Sequence, residues 1–395
     1  MDKQILIIPL TGKIDSLNAN TVEQEIARQR SDQKHQKLIF DAEDLTYISS
    51  SGLRVLLQAV KEEKKQKHEI ITLVKANREV YDILEMTGFT KFMEVHKAIR
   101  KISLEGSQLI GQGFFGQVFR LNEDTVVKLY KDGEKSIPLI MREQDRAKMA
   151  FIKGIPTAIS YDIVQVGGQY GAVFELLDAK SFNDCVREHE HDQAKIDELM
   201  LSYVNCLKNV HATEMDKGEL PLARDVMVKS LDHLQEYLPA ETINQTKALL
   251  LALPEDLHVV HGDFQMKNVL LCHEEPMLID METLCTGQPL FDLQGLYVTY
   301  KAFSEDEPDN TEIFLGLHKE TADYIWQRLL ELYFDTKDKE LLSRLEDKIR
   351  VAAYIRFLDV LTSPSLKEHA LTSLRIKHTR EQLQALLARV DSLEC

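Results

Sequence analysis

The stretch His261-Gly262-Asp263-Phe264-Gln265-Met266-Lys267-Asn268 places a carboxylate and an amide five positions apart, directly before the apolar run Val269-Leu270-Leu271. A second carboxylate, Asp280, ends the predicted strand 277–280. Phosphoryl transfer needs a carboxylate that orients the attacking hydroxyl and accepts its proton. It also needs oxygen ligands for Mg²⁺, which prefers carboxylate and amide oxygens. The stretch therefore indicates a phosphoryl-transfer site on a strand–loop–strand block.

Upstream, the glycines of Gly111-Gln112-Gly113-Phe114-Phe115-Gly116-Gln117-Val118 lie between predicted strands at 108–110 and 117–121. Because they sit inside a hairpin, the backbone can approach and cover the phosphates of a nucleotide. The next predicted strand, 125–130, carries Lys128, which can neutralise phosphates, and the predicted helix 137–151 carries Glu143, which can hold that lysine. The order of glycine loop, lysine, glutamate, aspartate, asparagine and aspartate matches the order of parts in the kinase pattern.

Residues 106–395, and most specifically 258–293, resemble the aminoglycoside phosphotransferase and choline-kinase-like family of small-molecule kinases. The motifs that carry the resemblance are His261-Gly262-Asp263 through Asn268, Leu278-Ile279-Asp280-Met281-Glu282, and Gly287-Gln288-Pro289-Leu290-Phe291-Asp292-Leu293.

The resemblance implies an enzyme that uses ATP and Mg²⁺. It implies that Asp263 is the catalytic base, that Asn268 and Asp280 are the magnesium ligands, and that Lys128 contacts the α- and β-phosphates. Asp292 is expected to have a structural role. The nucleotide-binding residues expected from the pattern are Gly111, Gly113, Gly116, Val118, Lys128 and Glu143.

Protein kinases share this set of groups, so the acceptor needs a separate argument. Asp280 is followed by only about a dozen residues before Asp292, which leaves no room for a long activation segment, and no Ala-Pro-Glu occurs. The catalytic loop reads His-Gly-Asp instead of His-Arg-Asp. These departures favour a hydroxyl group of a small molecule as the acceptor. The alternatives are a serine protein kinase that acts on Ser50 or on a partner, and a nucleotide-sensing scaffold.

The charge is uneven along the chain. The 395 residues contain 48 Lys and Arg against 64 Asp and Glu, and residues 181–395 hold 22 of the basic and 39 of the acidic residues. This balance argues against a nucleic-acid-binding surface. The acidity is typical of a solvated surface, but it also suggests a field that attracts a cationic acceptor.

The composition is that of a chain with a hydrophobic core, since 44% of the residues are hydrophobic and 28% are charged. No apolar run reaches the roughly 18 residues of a membrane helix. Five scattered cysteines without metal spacing, and a start that lacks the pattern of a signal peptide, predict a cytoplasmic protein without membrane association.

The first hundred residues alternate predicted strands (4–9, 38–41 and 70–74) with predicted helices (21–29, 53–65 and 80–86). Such alternation indicates a small sheet covered by helices. The run Ser49-Ser50-Ser51-Gly52 supplies natural caps for the second helix.

This segment resembles the STAS domain of anti-sigma-factor antagonists. The motifs are Gly12-Lys13-Ile14-Asp15, Leu38-Ile39-Phe40-Asp41, Tyr47-Ile48-Ser49-Ser50-Ser51-Gly52-Leu53 and Met86-Thr87-Gly88-Phe89. The resemblance implies that Ser50 is reversibly phosphorylated and controls the binding of an anti-sigma or STAS-type partner. Ser49 stands where the family usually has Asp. As a plain helix cap, Ser50 or Ser51 would give the same pattern.

The predicted fold class is α/β and α+β: a STAS-like sheet-and-helix domain followed by a bilobal protein-kinase-like fold. The predicted domains are residues 1–102 (STAS-like), 106–180 (N-terminal lobe with the glycine-rich hairpin) and 181–395 (mainly helical C-terminal lobe with the catalytic loop).

Overall fold

A computed structural model of the chain describes residues 5–32, 35–66, 68, 70–112 and 116–395. The chain divides into two compact units. The first comprises residues 1–103 and 163–167, and the second comprises residues 104–162 and 168–395.

The first unit contains a four-stranded parallel sheet in the order β1-β3-β5-β6, and β2 pairs in parallel with β4. Its strands are β1 (Ile5–Pro9), β2 (Gly12–Ile14), β3 (Lys37–Asp41), β4 (Leu45–Ile48), β5 (Thr72–Ala76), β6 (Glu94–Lys97) and β7 (Arg100–Lys101), and its helices are α1 (Ala19–Asp32), α2 (Ser50–Lys65) and α3 (Arg78–Met86).

The core of this unit follows from the alternation of side chains. In β1, Leu6 and Ile8 are buried while Ile5 and Ile7 are exposed, so one face of this strand covers the core. Helices α2 and α3 bury apolar residues at helical spacing, among them Leu56 and Val60. The three predicted strands and three predicted helices are present. The short strands β2, β4 and β6 were not predicted, because three or four residues give too little alternation.

The second unit begins with antiparallel strands, in which β9 pairs with β8 and β10, and β10 pairs with β12. The strands are β8 (Leu109–Gln112), β9 (Gly116–Arg120), β10 (Thr125–Tyr130), β11 (Ser160–Val166), β12 (Gln169–Glu175), β13 (Lys180–Ser181), β14 (Val259–Val260), β15 (Val269–Cys272), β16 (Glu275–Leu278) and β17 (Cys285–Thr286).

The remainder of this unit is mainly helical. The helices are α4 (Ile137–Ile152), α5 (Phe182–Glu188), α6 (Gln193–His211), α7 (Ala223–His233), α8 (Ala240–Ala252), α9 (Leu290–Tyr297), α10 (Phe303–Asp306), α11 (Asn310–Leu315), α12 (Lys319–Tyr333), α13 (Lys339–Leu361) and α14 (Thr372–Leu387). Helices α6, α9, α12 and α13 bury large apolar side chains in one core. The apolar stripe at the end of the sequence belongs to this core, because Leu383 and Leu386 are buried in it.

Within the described residues, no helix combines the length and the apolar character that a membrane crossing requires.

Candidate active site

The glycine-rich segment forms the hairpin β8–β9, and its neighbour β10 carries Lys128. Val118 lies opposite both Gly111 and Lys128 in the strand register. A Cβ atom at Gly116 would lie 1.8 Å from the carbonyl oxygen of Leu129, so only glycine allows the two strands this approach. Gly113 lies outside the described residues.

Lys128 is the centre of a largely buried ion cluster. Its Nζ lies 3.1 Å from Oε1 and 3.2 Å from Oε2 of Glu143, and it also donates to Oδ1 of Asp280. Glu143 is only 2% exposed and accepts a further hydrogen bond from the hydroxyl of Tyr130. Burial opposes the charged form of Lys128, but the carboxylates of Glu143 and Asp280 outweigh burial and raise the pKa of Lys128 above its usual range. The lysine is therefore held as a cation.

The hairpin β15–β16 brings Asn268 and Asp280 together. Val269, the first residue of β15, pairs with Leu278, the last of β16, and the N–H of Ile279 donates to the carbonyl oxygen of Asn268 at 3.0 Å. The two predicted ligand residues therefore flank the same end of the hairpin. Asp280 adopts a left-handed conformation, with φ 61° and ψ 55°. Asp tolerates this region better than most residues, and such conformations cluster at functional sites.

Asp263 lies on the loop that follows β14, and each of its carboxylate oxygens has a partner. Oδ2 accepts hydrogen bonds from Nδ2 of Asn268 at 2.9 Å and from Nε2 of Gln265 at 3.0 Å. Oδ1 accepts one from Nη2 of Arg356 at 3.0 Å. These contacts join Asp263 to Asn268, and through Ile279 to the segment that carries Asp280.

Asp292 holds the backbone of the loop that carries Asp263. Its carboxylate accepts the backbone N–H groups of His261 at 2.9 Å and Gly262 at 2.7 Å, and it lies 2.9 Å from Nε2 of His211. Burial favours the neutral carboxyl, but the hydrogen bond and charge of His211 and the N–H of His261 hold the pKa of Asp292 below its usual range. Asp292 contacts the backbone of the loop, which agrees with the structural role expected of it.

The glycine of the His-Gly-Asp sequence is required by its surroundings. Gly262 has φ 81°, and a Cβ atom there would lie 2.6 Å from the carbonyl oxygen of Thr283. A larger residue at this position, such as the arginine of protein kinases, would push the loop away from the segment after Asp280.

A cleft of about 270 Å³ opens between the hairpin strands and the strand–loop–strand block. Lys128, Glu143 and Asp280 lie at its charged end. The rest of its wall is mainly apolar and includes Val118, Val126, Ala147, Phe174, Leu176, Leu270 and Ile279. Gly116 also lines the cleft, whereas Gly111 does not touch it directly.

The donor set beside this cleft fits a magnesium ion. Nδ2 of Asn268 is engaged with Asp263, which leaves the amide oxygen as its ligand atom, and Asp280 contributes a carboxylate. Oε2 of Glu282 is buried and has no hydrogen-bond partner among the described residues. Burial raises the pKa of Glu282, and Glu143 and Asp280 add to this effect while Lys128 opposes it. A cation near Glu282 would satisfy this oxygen.

Sequence reasoning missed four contacts of the site: those of Tyr130, Arg146, Gln265 and Arg356. Arg356 lies on α13, 93 residues after Asp263. Arg146 of α4 donates to the carbonyl oxygen of Glu282. Only Tyr130, two residues after Lys128 on the same strand, had a local signal, because alternate residues of a strand share a face.

In the first unit, Ser50 is exposed and is the first residue of α2. The cap is Ser49, whose Oγ accepts the N–H groups of Ser51 at 3.2 Å and Gly52 at 3.4 Å. The interpretation of Ser50 or Ser51 as the cap is therefore wrong, because Ser49 alone has the extended backbone of a cap residue. Ser49 fills the role that an Asp could fill there. A Cβ at Gly52 would lie 2.8 Å from the carbonyl oxygen of Ile14, which explains the glycine.

Comparison with known proteins gives a family for each part of the chain. Residues 2–102 match the STAS domain, and residues 107–330 match the phosphotransferase enzyme family. A protein of Bordetella bronchiseptica assigned as an anti-sigma factor antagonist, BtrV, is 35% identical over 97 residues, which are 24% of this chain and 82% of that protein.

Solved structures resemble the chain at lower identity. A choline/ethanolamine kinase family protein of Mesorhizobium loti is 15% identical, with a TM-score of 0.46 over 72% of this chain and 88% of that chain. The GDP complex of wild-type aminoglycoside 2′-phosphotransferase-IIIa is 12% identical, with a TM-score of 0.46 over 78% of this chain and 97% of that chain.

The family match spans the hairpin, the ion cluster and the catalytic loop, and the STAS match spans the first sheet. The expected fold class, a STAS-like domain followed by a kinase-like fold, is confirmed. The chain belongs to the phosphotransferase enzyme family, and it carries a STAS domain ahead of the phosphotransferase part.

Proposed function

We propose that the protein transfers the γ-phosphoryl group of ATP to a hydroxyl group of a small molecule, in a reaction that depends on Mg²⁺. The observation that carries the proposal is the continuous set of contacts from Glu143 through Lys128 and Asp280, and from Asn268 to Asp263. The hairpin β15–β16 thus connects the group proposed to bind the nucleotide, Lys128, with the group proposed to accept the proton, Asp263.

The nucleotide occupies the cleft of about 270 Å³. Its apolar walls suit a flat base, and the ammonium of Lys128 suits the phosphates. Glu143, which is buried, keeps Lys128 charged and oriented. When phosphate oxygens reach Lys128, they compete with Asp280 for its ammonium group, and Asp280 becomes available for the metal.

Asn268 and Asp280 hold the magnesium ion through an amide and a carboxylate oxygen. The ion, when bound, neutralises the charge that develops on the β- and γ-phosphates. Hydrogen bonds to Asp263 fix the orientation of Asn268.

Asp263 orients the acceptor hydroxyl and takes its proton. A bond forms between the acceptor oxygen and the γ-phosphorus while the bond from that phosphorus to the β–γ bridging oxygen breaks. The products are the phosphorylated acceptor and ADP, and the proton resides on the carboxylate of Asp263 until solvent removes it. This carboxylate is oriented by hydrogen bonds from Asn268, Gln265 and Arg356.

The first unit is proposed to bind an anti-sigma or STAS-type protein partner, with Ser50 as a site of phosphorylation. Ser50 is exposed at the start of α2, and Ser49 leaves it free of the capping role. A phosphate on Ser50 would lie near the backbone N–H groups and the positive end of the helix dipole. A partner kinase supplies the phosphoryl group in this proposal. The serine-kinase alternative, in which this chain modifies its own Ser50, rests on the same exposure.

One experiment separates these functions. The purified chain is incubated with Mg·ATP and a library of metabolites, and both the metabolites and the intact protein are analysed by mass spectrometry. We expect a phosphorylated metabolite and no change in the mass of the protein. Addition of one phosphoryl group to the protein, lost in Ser50→Ala, would support the serine kinase. Binding of ATP without transfer to either would contradict both kinase functions and support the nucleotide-sensing scaffold.

A further inference from the structure

A second cavity, of about 360 Å³, shares no lining residue with the nucleotide cleft. Gly262 and Arg356 line it, and Arg356 donates to the carbonyl oxygen of Gly262 at 2.7 Å and to the carboxylate of Asp263 at 3.0 Å. The segment Glu282–Thr283, two residues after Asp280, forms another part of its wall. The cavity is therefore lined by the chain neighbour and by the ion-pair partner of the proposed catalytic aspartate.

The charged side chains that line this cavity are three arginines and two acids. Arg142 and Arg146 lie one turn apart on α4, and Arg356 comes from α13. The acids are Glu282 and Asp359, and neither forms an ion pair with any of the three arginines within the described part of the chain.

Arg142 and Arg146 form no ion pair with a carboxylate among the described residues. Arg146 donates to a carbonyl oxygen, not to a carboxylate, and Arg142 has neither a hydrogen bond nor an ion pair to any described residue. Burial and the charge of Arg142 lower the pKa of Arg146, and Cys285 and Glu282 oppose this effect. Burial raises the pKa of Asp359, and the charges of His233 and Arg356 oppose this effect.

An unpartnered polar group points to a ligand in the same cavity. Gln294 is 4% exposed and lines the cavity, and its Oε1 has no hydrogen-bond partner among the described residues. Its Nε2 donates to the carbonyl oxygen of Phe291 at 3.2 Å, which fixes the amide. A buried acceptor without a donor is unfavourable, and a ligand hydroxyl would satisfy it. The apolar residues that line the cavity include Met227, Phe291 and Ile355.

From these observations we infer that the acceptor carries a carboxylate or phosphate group beside its hydroxyl groups, with the anionic group bound by Arg142 and Arg146 and a hydroxyl bound by Gln294. The inference rests on the proposed function. Guanidinium groups bind carboxylate and phosphate through paired N–H donors, and Arg142 and Arg146 leave such donors available. A cationic amine, which the acidity of residues 181–395 suggested, would meet three arginines and two acids here, so the excess of positive charge in the lining favours the opposite acceptor class.

The test uses acceptors of equal carbon skeleton and different charge. The full chain with Mg·ATP is assayed with gluconate, glucose and glucosamine, and with glycerate, glycerol and serinol. Charge-assisted hydrogen bonds contribute roughly 1.5–3 kcal/mol, so kcat/KM for the anionic member of a series should exceed that of the neutral member by at least about tenfold. Equal or better turnover of the cationic member would overturn the inference.

Two variants locate the effect. In Arg142→Gln/Arg146→Gln, KM for the anionic acceptor should rise by at least about tenfold, because its counter-charges are lost. Lys148→Gln removes a positive charge from an exposed position of the same helix, outside the cavity, and should leave that KM unchanged. Equal effects of the two changes would mean that only the net charge matters, and would contradict the inference.

If no acceptor of either series is turned over, binding decides. Gluconate and glucosamine are titrated calorimetrically into the chain loaded with Mg·ADP. Tighter binding of gluconate, lost in the double variant, supports the anionic acceptor, and equal or tighter binding of glucosamine overturns it. Failure of the proposed function is distinct, because Mg·ATP would then neither bind at Lys128 nor lose its γ-phosphoryl group to any alcohol.

Discussion

The nucleotide cleft and the acceptor-side cavity are lined by consecutive residues of one segment, Met281 for the cleft and Glu282 for the cavity, but they are built differently. The cleft is lined by neighbouring strands, and its charged end is a closed cluster in which Lys128 is matched by Glu143 and Asp280. The other cavity is lined by four helices that are far apart in sequence, α4, α7, α9 and α13. Within the described residues, two of its three guanidinium groups form no ion pair with a carboxylate.

This difference suggests that the cleft serves the common nucleotide, whereas the other cavity determines which acceptor is bound. A charge cluster that is neutralised within the chain can serve any nucleotide with phosphates in the right place. Arginines that form no ion pair within the described residues keep N–H donors free for a ligand, so they carry information about the acceptor. The acidity of residues 181–395 gives less information about the acceptor, because the net charge of a segment does not report the local charge of a cavity.

The largest effect should follow a change at Asp263, the proposed catalytic base. In Asp263→Asn the size of the side chain is kept but the proton acceptor is lost, so kcat should fall by about 10²–10⁴. Nucleotide affinity, measured by calorimetry, should stay unchanged because Asp263 does not line the nucleotide cleft. The exposed Asp232→Asn, on α7, serves as the matched control. An unaltered kcat in Asp263→Asn would remove Asp263 from the chemistry.

A change on the nucleotide side alone should affect binding of ATP and stability together. Lys128→Met leaves Glu143 buried without its cation, which typically costs about 3–5 kcal/mol of folding free energy. Loss of a charged phosphate contact should also weaken ATP binding by roughly tenfold or more. Urea unfolding and calorimetry measure the two effects.

The double variant Lys128→Met/Glu143→Gln separates the two effects of Lys128. Removing the unpaired carboxylate should restore most of the stability but none of the ATP affinity, since Glu143 acts through Lys128. Recovery of ATP affinity in the double variant would show that Lys128 does not contact the nucleotide.

Asp292 supports the backbone of the catalytic loop and lines neither cavity, so its loss should act on stability before it acts on either ligand. Asp292→Asn removes a charged acceptor from two backbone N–H groups, at a cost of about 1–3 kcal/mol. Because the pKa of Asp292 is lowered in the folded chain, its contribution is present above its unfolded pKa of about 3.9 and is lost as the pH falls through the folded value. Urea unfolding at pH 7 and at acidic pH should show the difference between wild type and variant shrinking in acid. A constant difference would mean that the charge of Asp292 does not matter.

The smallest effect should appear where neither cavity is touched. Ser49→Ala removes the cap of α2 and should destabilise the first unit by about 1 kcal/mol, while the transfer rate stays unchanged. Ser50→Ala, one position further on, should have almost no effect on stability because Ser50 does not cap the helix. Equal destabilisation by both changes in thermal unfolding would contradict the capping assignment.

The sequence predicted the nucleotide side better than the acceptor side, for a physical reason. Lys128 and Glu143 come from adjacent elements, and Asn268 and Asp280 flank one short hairpin, so local spacing determines their meeting.

The acceptor side depends on long-range packing, which spacing does not encode. Arg356 reaches Asp263 only because α13 packs against α9 under the catalytic loop. Arg142 is exposed on α4, and nothing in the sequence around it indicates that it lines a cavity. The cationic acceptor was therefore a prediction from average charge, which could not resolve the residues that line the cavity.

The most direct test of the account is a crystal structure of the chain with magnesium, a non-hydrolysable ATP analogue and gluconate. The account predicts the phosphates at Lys128, the ion between Asn268 and Asp280, a gluconate hydroxyl at Asp263 and its carboxylate at Arg142 and Arg146. A nucleotide bound elsewhere, with Lys128 still paired to Asp280 and the arginine-lined cavity empty, would contradict it.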